Sequence, residues 1–115
     1  MKFLGLVVLL SLVSSKIFAI QCVGTEPFWN ATVNTEEVVF NAMALEEPVK
    51  MKITKLDGIV GFSTEHAAVY SNNNGPVAII TTESCNDGMS DDDYLKKAII
   101  FTDFNTFMGC CTESK

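Results

Sequence analysis

Short segments in which apolar and polar residues alternate make up most of this chain after its first 19 residues. In the clearest one, Val49, Met51 and Ile53 alternate with lysines, which predicts a strand with one buried and one wet face. The segment from Trp29 to Val33 alternates in the same way, and no stretch repeats apolar residues at the helical period. Turn signals recur about every eight to twelve residues, so we predict an all-β domain, a small antiparallel barrel or sandwich of about seven or eight strands.

Turn-forming residues mark the predicted connections between these strands. The pair Asp57-Gly58 is typical of a two-residue hairpin loop, because both residues tolerate positive φ, and 59–63 is then the returning strand. The stretch 71–76 (SNNNGP) is the strongest loop sequence. The composition of 42–45 also suits a helix, so that boundary stays open.

The first 19 residues have the pattern of a signal peptide. Lys2 precedes an apolar run over 3–13, and Ile17-Phe18-Ala19 offers a cleavage site. The run is shorter than the about 20 residues that a membrane span needs. We therefore predict a signal peptide at 1–19 and a single β domain at 20–115, exported to the periplasm or secreted, with no stable membrane span after cleavage.

Charge narrows the class of partner. The chain has 14 Asp and Glu against 8 Lys and no Arg. Removing Lys2 and Lys16 with the leader leaves 6 against 14, a net charge of −8. Such a surface repels nucleic acid and anionic membranes. We expect an unknown protein or a cell-wall ligand as the partner, with a cationic one favoured.

Four cysteines lie after the leader, and an even number in a short exported chain predicts a disulfide framework. A bond between the adjacent Cys110 and Cys111 requires a strained ring, so each of these two is expected to pair with Cys22 or Cys85. Both such pairings stay open at this point. The spacing lacks the C-x-x-C pair of zinc sites, and no neighbouring cation lowers a thiol pKa, which favours structural bonds over redox chemistry.

The segment 24–29 (GTEPFW) is the densest motif in the chain. Its two consecutive aromatics point to opposite faces of a strand. As a binding surface, the exposed aromatic and Glu26 would meet a ligand. The alternative is a structural corner in which Trp29 fills the core and Glu26 caps backbone amides.

A second motif is the acidic segment 85–94 (CNDGMSDDDY). Asp87, Ser90 and the aspartates at 91–93 are hard oxygen ligands of the kind Ca²⁺ takes, but the spacing is not that of an EF-hand. The alternative is a solvated turn, and we predict no metal and no other cofactor. His66 has no nucleophile motif beside it, so we predict no catalysis.

Taken together, three motifs resemble a family of small exported bacterial proteins that are called uncharacterised envelope proteins or lipoproteins. Its members carry G-[NT]-E-P-F-W, then C-x-D-x-M-S-x-x-x-Y, and a closing G-C. The resemblance implies the pairing Cys85–Cys110, which leaves Cys22–Cys111, and it implies no activity. This chain departs from the family in lacking a lipobox and in having Leu95 where Pro is common. The matching segments here are 22–29, 85–94 and 109–111.

These patterns predict a non-catalytic exported domain that binds an envelope or extracellular partner. One alternative is an inhibitor of a basic cell-wall hydrolase such as lysozyme, whose cleft would attract an acidic loop, although this is analogy at fold level. Another is a redox-active thiol protein. The predicted binding residues are Glu26, Phe28, Trp29, Asp87, Met89, Ser90, Asp91 and Tyr94.

Overall fold

The computed structural model describes residues 19–25, 27–86, 88 and 93–113. Within these ranges the chain forms β-strands and no helix, so the predicted all-β fold is confirmed. Apart from Ala19, the predicted leader lies outside the described residues. The strands are β1 (Ile20–Thr25), β2 (Phe28–Val33), β3 (Glu37–Ala42), β4 (Val49–Lys52), β5 (Lys55–Gly58), β6 (Ala67–Asn72), β7 (Gly75–Asn86), β8 (Asp93–Phe101) and β9 (Thr106–Glu113).

All nine described strands belong to one antiparallel sheet in the order β4-β3-β2-β1-β9-β8-β7-β6-β5. The hydrogen-bond ladder is not closed, but its two edge strands, β4 and β5, are joined by only Ile53 and Thr54. The Ile53 amide donates to the carbonyl of Glu36, before β3, and the Thr54 amide donates to Ser71 of β6, both at 2.9 Å. The chain thus crosses from one edge to the other at this corner, and the sheet rolls around a single core.

Nine strands form where about seven or eight are predicted. The predicted strand at 49–53 is β4, which pairs with β3, and the residues just after the corner form an additional strand, β5, which pairs with β6. The hairpin predicted at Asp57-Gly58 is wrong. Both residues belong to β5 and pair with residues of β6, and neither has positive φ. The turn comes later, at Gly61 (φ 92°), so 59–63 is a loop and β6 is the returning strand.

The inner face of the rolled sheet carries the core. Trp29 stacks on Phe40 with ring centroids 5.5 Å apart, and Phe40 meets Phe107 at 4.7 Å. Aromatic pairs at such distances add to the stabilisation from burial alone. Small and branched side chains complete the core, and they allow the close packing that a rolled sheet needs. The fully buried ones are Val33, Val38, Ala78, Ala98 and Ile100.

Two disulfides join β9 to β1 and to β7, and both pairings implied by the family resemblance are confirmed. Cys22 of β1 is bonded to Cys111, its direct partner on β9, with Cα atoms 4.1 Å apart, and Cys85 is bonded to Cys110. On the chain-entropy model these bonds contribute on the order of 4–5 and 3 kcal/mol. Small domains are stable by only about 5–15 kcal/mol, so the bonds are a large share of the total.

Candidate functional site

The opening motif forms the end of the β1–β2 hairpin. Gly24 pairs with Trp29 and Thr25 with Phe28, so the two aromatics lie on opposite faces, as predicted. Trp29 faces the core and is 5% exposed, whereas Phe28 faces outward and is 50% exposed. Glu26 lies outside the described residues.

Trp29 packs against two glycines on neighbouring strands. A Cβ atom at Gly24 would come within 1.9 Å of the indole nitrogen, and one at Gly109 would come within 2.6 Å of the ring atom Cζ2. Only residues without a side chain fit there. The glycines of the opening motif and of the closing Gly-Cys pair therefore both make room for this indole.

The end of β7 and the start of β8 form an arm, here defined as Glu83–Asn86 with Asp93–Leu95. A register shift between Thr82 and Cys85 lets the arm leave the regular sheet. Cys110 points away from the core, because its neighbour Cys111 lies inside, yet Cys110 is only 2% exposed. The bond from Cys85 to Cys110 therefore holds the arm across the outer face of β9.

This arrangement leaves a groove of about 500 Å³ between the β1–β2 hairpin, the end of β3 and the arm, which we call the arm groove. No charged side chain among the described residues lines it. Met43, just after β3, is 85% exposed. The lining of the arm groove combines apolar surface with amide and hydroxyl groups. These come from Thr25, Phe28, Trp29, Asn30, Asn41, Met43 and Tyr94.

A second depression of about 360 Å³ lies on the other side of the arm and shares Val23, Gly24 and Thr25 with the arm groove. Met108 of β9 lines it and is 60% exposed. Lys97 also lines it, and its Nζ lies 4.0 Å from Glu83. The two depressions form one surface that the arm divides.

Beside the base of the arm, a polar cluster borders the core. Lys96 lies opposite Cys111, on the core side, and its side chain is 15% exposed. Its ammonium is 3.3 Å from Glu113 and donates to the Thr82 hydroxyl at 3.0 Å. Burial raises the pKa of Tyr70, and the negative charge of Glu113 raises it further.

Of the predicted binding residues, Phe28, Trp29 and Tyr94 meet at the arm groove. Asp87, Met89, Ser90 and Asp91 lie, like Glu26, outside the described residues. Sequence reasoning missed Met43 and Met108, because one exposed methionine carries no local signal.

No cluster of three metal-ligating side chains occurs within the described ranges, which omit most of the acidic loop. The described residues also include no helix long and apolar enough to span a membrane.

No family model matches the chain, and neither a curated protein nor a solved structure is significantly similar to it. The family resemblance of the three motifs stays a prediction.

Proposed function

We propose that this chain is an exported, non-catalytic domain that binds a protein partner of the cell envelope or the extracellular space through the arm groove. The main support for this proposal is the Cys85–Cys110 bond. It holds Tyr94 beside Phe28 and Met43, although Tyr94 is far from both in sequence. The two disulfides are compatible with an oxidising, exported location.

The composition of the surface favours a protein as the partner. The cores of protein interfaces are depleted in charged residues and enriched in aromatics and methionine. The arm groove has this composition, and Phe28, Met43 and Met108 expose half or more of their surface around the arm. Single exposed apolar residues are common on proteins, but three around one divided surface indicate an interaction site.

Charge favours a basic partner. Asp93 is exposed at the start of β8, next to Tyr94 in the groove, and the mature part carries a net charge of −8, from 6 Lys against 14 acidic residues. Such an excess attracts a basic protein over distances of about a Debye length, roughly 8 Å at physiological salt. Electrostatics would thus speed the encounter, and the uncharged groove would supply the specific contact.

Site-specific photocrosslinking tests this function. A photoreactive amino acid replaces Met43, in the groove, or Asn74, another exposed residue, in the β6–β7 turn, and each variant is exported from its own host cells. We expect a discrete protein adduct from position 43 that is absent from position 74 and is lost with Phe28→Ala. No adduct at position 43, or the same adducts at both positions, would refute groove binding.

A second candidate is inhibition of a basic cell-wall hydrolase, favoured by the exposed Asp93 at the arm. Lysozyme is the natural probe. Inhibition that is lost on replacing the aspartates at 91–93 by asparagine, and kept when Asp103 is replaced instead, would support it. Unimpaired lysozyme activity at a large excess of the protein would rule it out.

A further inference from the structure

The loop between β5 and β6 presents an apolar turn, Ile59–Phe62, away from the arm groove. The Phe62 amide donates to the Ile59 carbonyl at 2.8 Å, and Gly61 has φ of 92°. A four-residue turn with positive φ at its third residue is of type II, which favours glycine there. Val60 is therefore held at the apex by the main chain.

The side chains of this turn face solvent. Val60 is 99% exposed, Phe62 63% and Ile59 37%. No ionisable residue occurs between Gly58 and Thr64, in a protein of which 19% is charged. The turn is thus a short apolar tip that protrudes at Val60 and has no charge of its own. At its side, Ile59 and Phe62 line a depression of about 270 Å³ that also includes Glu83 of the arm.

A second turn forms the base of this tip. The His66 amide donates to the Ser63 carbonyl at 3.0 Å, and the Ser63 hydroxyl is hydrogen-bonded to His66 Nδ1 at 2.9 Å. The Thr82 amide donates to the His66 carbonyl at 2.8 Å, which ties the base to β7. The apolar tip is therefore carried on a polar, hydrogen-bonded support.

We propose that the apolar turn inserts into the interfacial region of a zwitterionic lipid bilayer. A standard protein interface needs about 800 Å² per partner with complementary shape, which the three exposed side chains of one four-residue turn do not supply. A bilayer accepts such a tip without a matching surface. Ser63, Thr64 and His66 then lie at the depth of the headgroups, where their polar atoms stay hydrated.

The charge of the protein selects the kind of membrane. The nearby charges are paired or acidic: Lys55 is 3.3 Å from Asp57, and Glu83 lines a depression together with Ile59 and Phe62. The net charge of the mature part also repels an anionic surface. Binding is then carried by the apolar side chains and is insensitive to salt. None of the residues that line the arm groove belongs to this turn, so the membrane and a partner protein can be bound together.

Cosedimentation of the mature protein with phosphatidylcholine vesicles tests this proposal. We expect the protein to sediment with the vesicles, and Val60→Asp to weaken partitioning by at least about tenfold, because a charge is costly in the bilayer. Met43→Asp is the matched control, since Met43 is similarly exposed but lies in the arm groove, and it leaves partitioning unchanged. Circular dichroism checks that both variants fold.

Several results would overturn the proposal. These are no sedimentation with phosphatidylcholine vesicles, an equal loss with Met43→Asp, or binding to anionic vesicles alone that salt abolishes. Sedimentation equilibrium without lipid tests whether the turn instead contacts a second copy of the protein. A dimer that Val60→Asp dissociates would assign the turn to self-association. Crosslinking from position 43 is unaffected by any of these outcomes, so it tests the groove separately.

Discussion

The contact between Gly24 and Trp29 allows a sharp test of the core, because a single carbon atom decides it. In Gly24→Ala the new Cβ would lie 1.9 Å from the indole Nε1 and 2.4 Å from Cε2, far inside van der Waals contact. Gly24 is not among the glycines with positive φ, so the backbone accepts alanine. The cost of the substitution is therefore the displacement of the ring.

Two limits give the size of this cost. Overpacking a core typically costs about 1–3 kcal/mol. The ring can leave the core rather than be compressed, and the loss of a buried tryptophan side chain costs about 3–5 kcal/mol. We expect Gly24→Ala to lower the free energy of unfolding by about 3 kcal/mol. With Trp29→Ala already present, the same change should be neutral or stabilising by up to about 1 kcal/mol, since alanine is better than glycine within a strand.

Urea unfolding of the four members of this double-mutant cycle, with disulfides intact, measures the coupling. Far-UV circular dichroism is the signal, because Trp29 is the only tryptophan and its fluorescence is absent from half of the cycle. Gly109→Ala is the control: its Cβ would lie 2.1 Å from the main-chain oxygen of Val23 as well as 2.6 Å from Cζ2 of the indole. Removing the indole relieves only the second contact, so most of the cost of Gly109→Ala should remain. Equal destabilisation by Gly24→Ala in both tryptophan backgrounds would refute the reasoning.

Three further predictions concern the disulfides and the polar cluster. Replacing Cys85 and Cys110 together by serine should lower the free energy of unfolding in urea by on the order of 3 kcal/mol. The substitution should also speed hydrogen exchange in the arm but not in β2 and β3. Unchanged exchange in the arm would contradict the anchoring of the arm by this bond. Alkylation of the native exported protein should add no adduct, and its mass should be that of a chain with two disulfides, whereas an adduct would revive the redox alternative. Because the pKa of Tyr70 is raised above its ordinary 10.0, the unfolded state loses this proton first, so stability should fall as pH rises above 10.0. Spectrophotometric titration of a Tyr94→Phe variant should show this raised pKa, and Glu113→Gln should lower it part of the way; no difference would contradict the charge effect.

Much of the fold could be predicted from local pattern, because half-buried strands alternate visibly. The segments Val49–Ile53 and Trp29–Val33 both coincide with strands except at the Ile53 corner. The strand β5 was missed, because Lys55–Gly58 is exposed throughout and ends in a turn signal, and it is a strand through its pairing with β6. The Asp57-Gly58 hairpin was wrong for the same reason: local turn propensity yields when both residues have a partner strand.

The site could be predicted only in part. The opposite orientation of Phe28 and Trp29 follows from strand geometry, and it is confirmed. Tyr94 reaches the same groove through the register shift in the arm and its disulfide, neither of which any local pattern encodes. Met43 and Met108 become informative only when the arm lies between them. Local sequence thus indicated residues, while the long-range bonds determined which of them meet.

The pairing of β1 with β9 has a consequence for how the chain folds under the proposed export. Cys22 and Cys111 are 89 positions apart, yet they are direct neighbours in the sheet. When the chain is delivered from its N-terminus, β1 can pair early with β2, but its other edge stays open until β9 arrives. Contacts of such separation slow folding, and an unpaired edge invites aggregation. In a pulse-chase experiment, protease resistance should therefore appear only after the whole chain has crossed the membrane, and a chain truncated before β9 should remain sensitive.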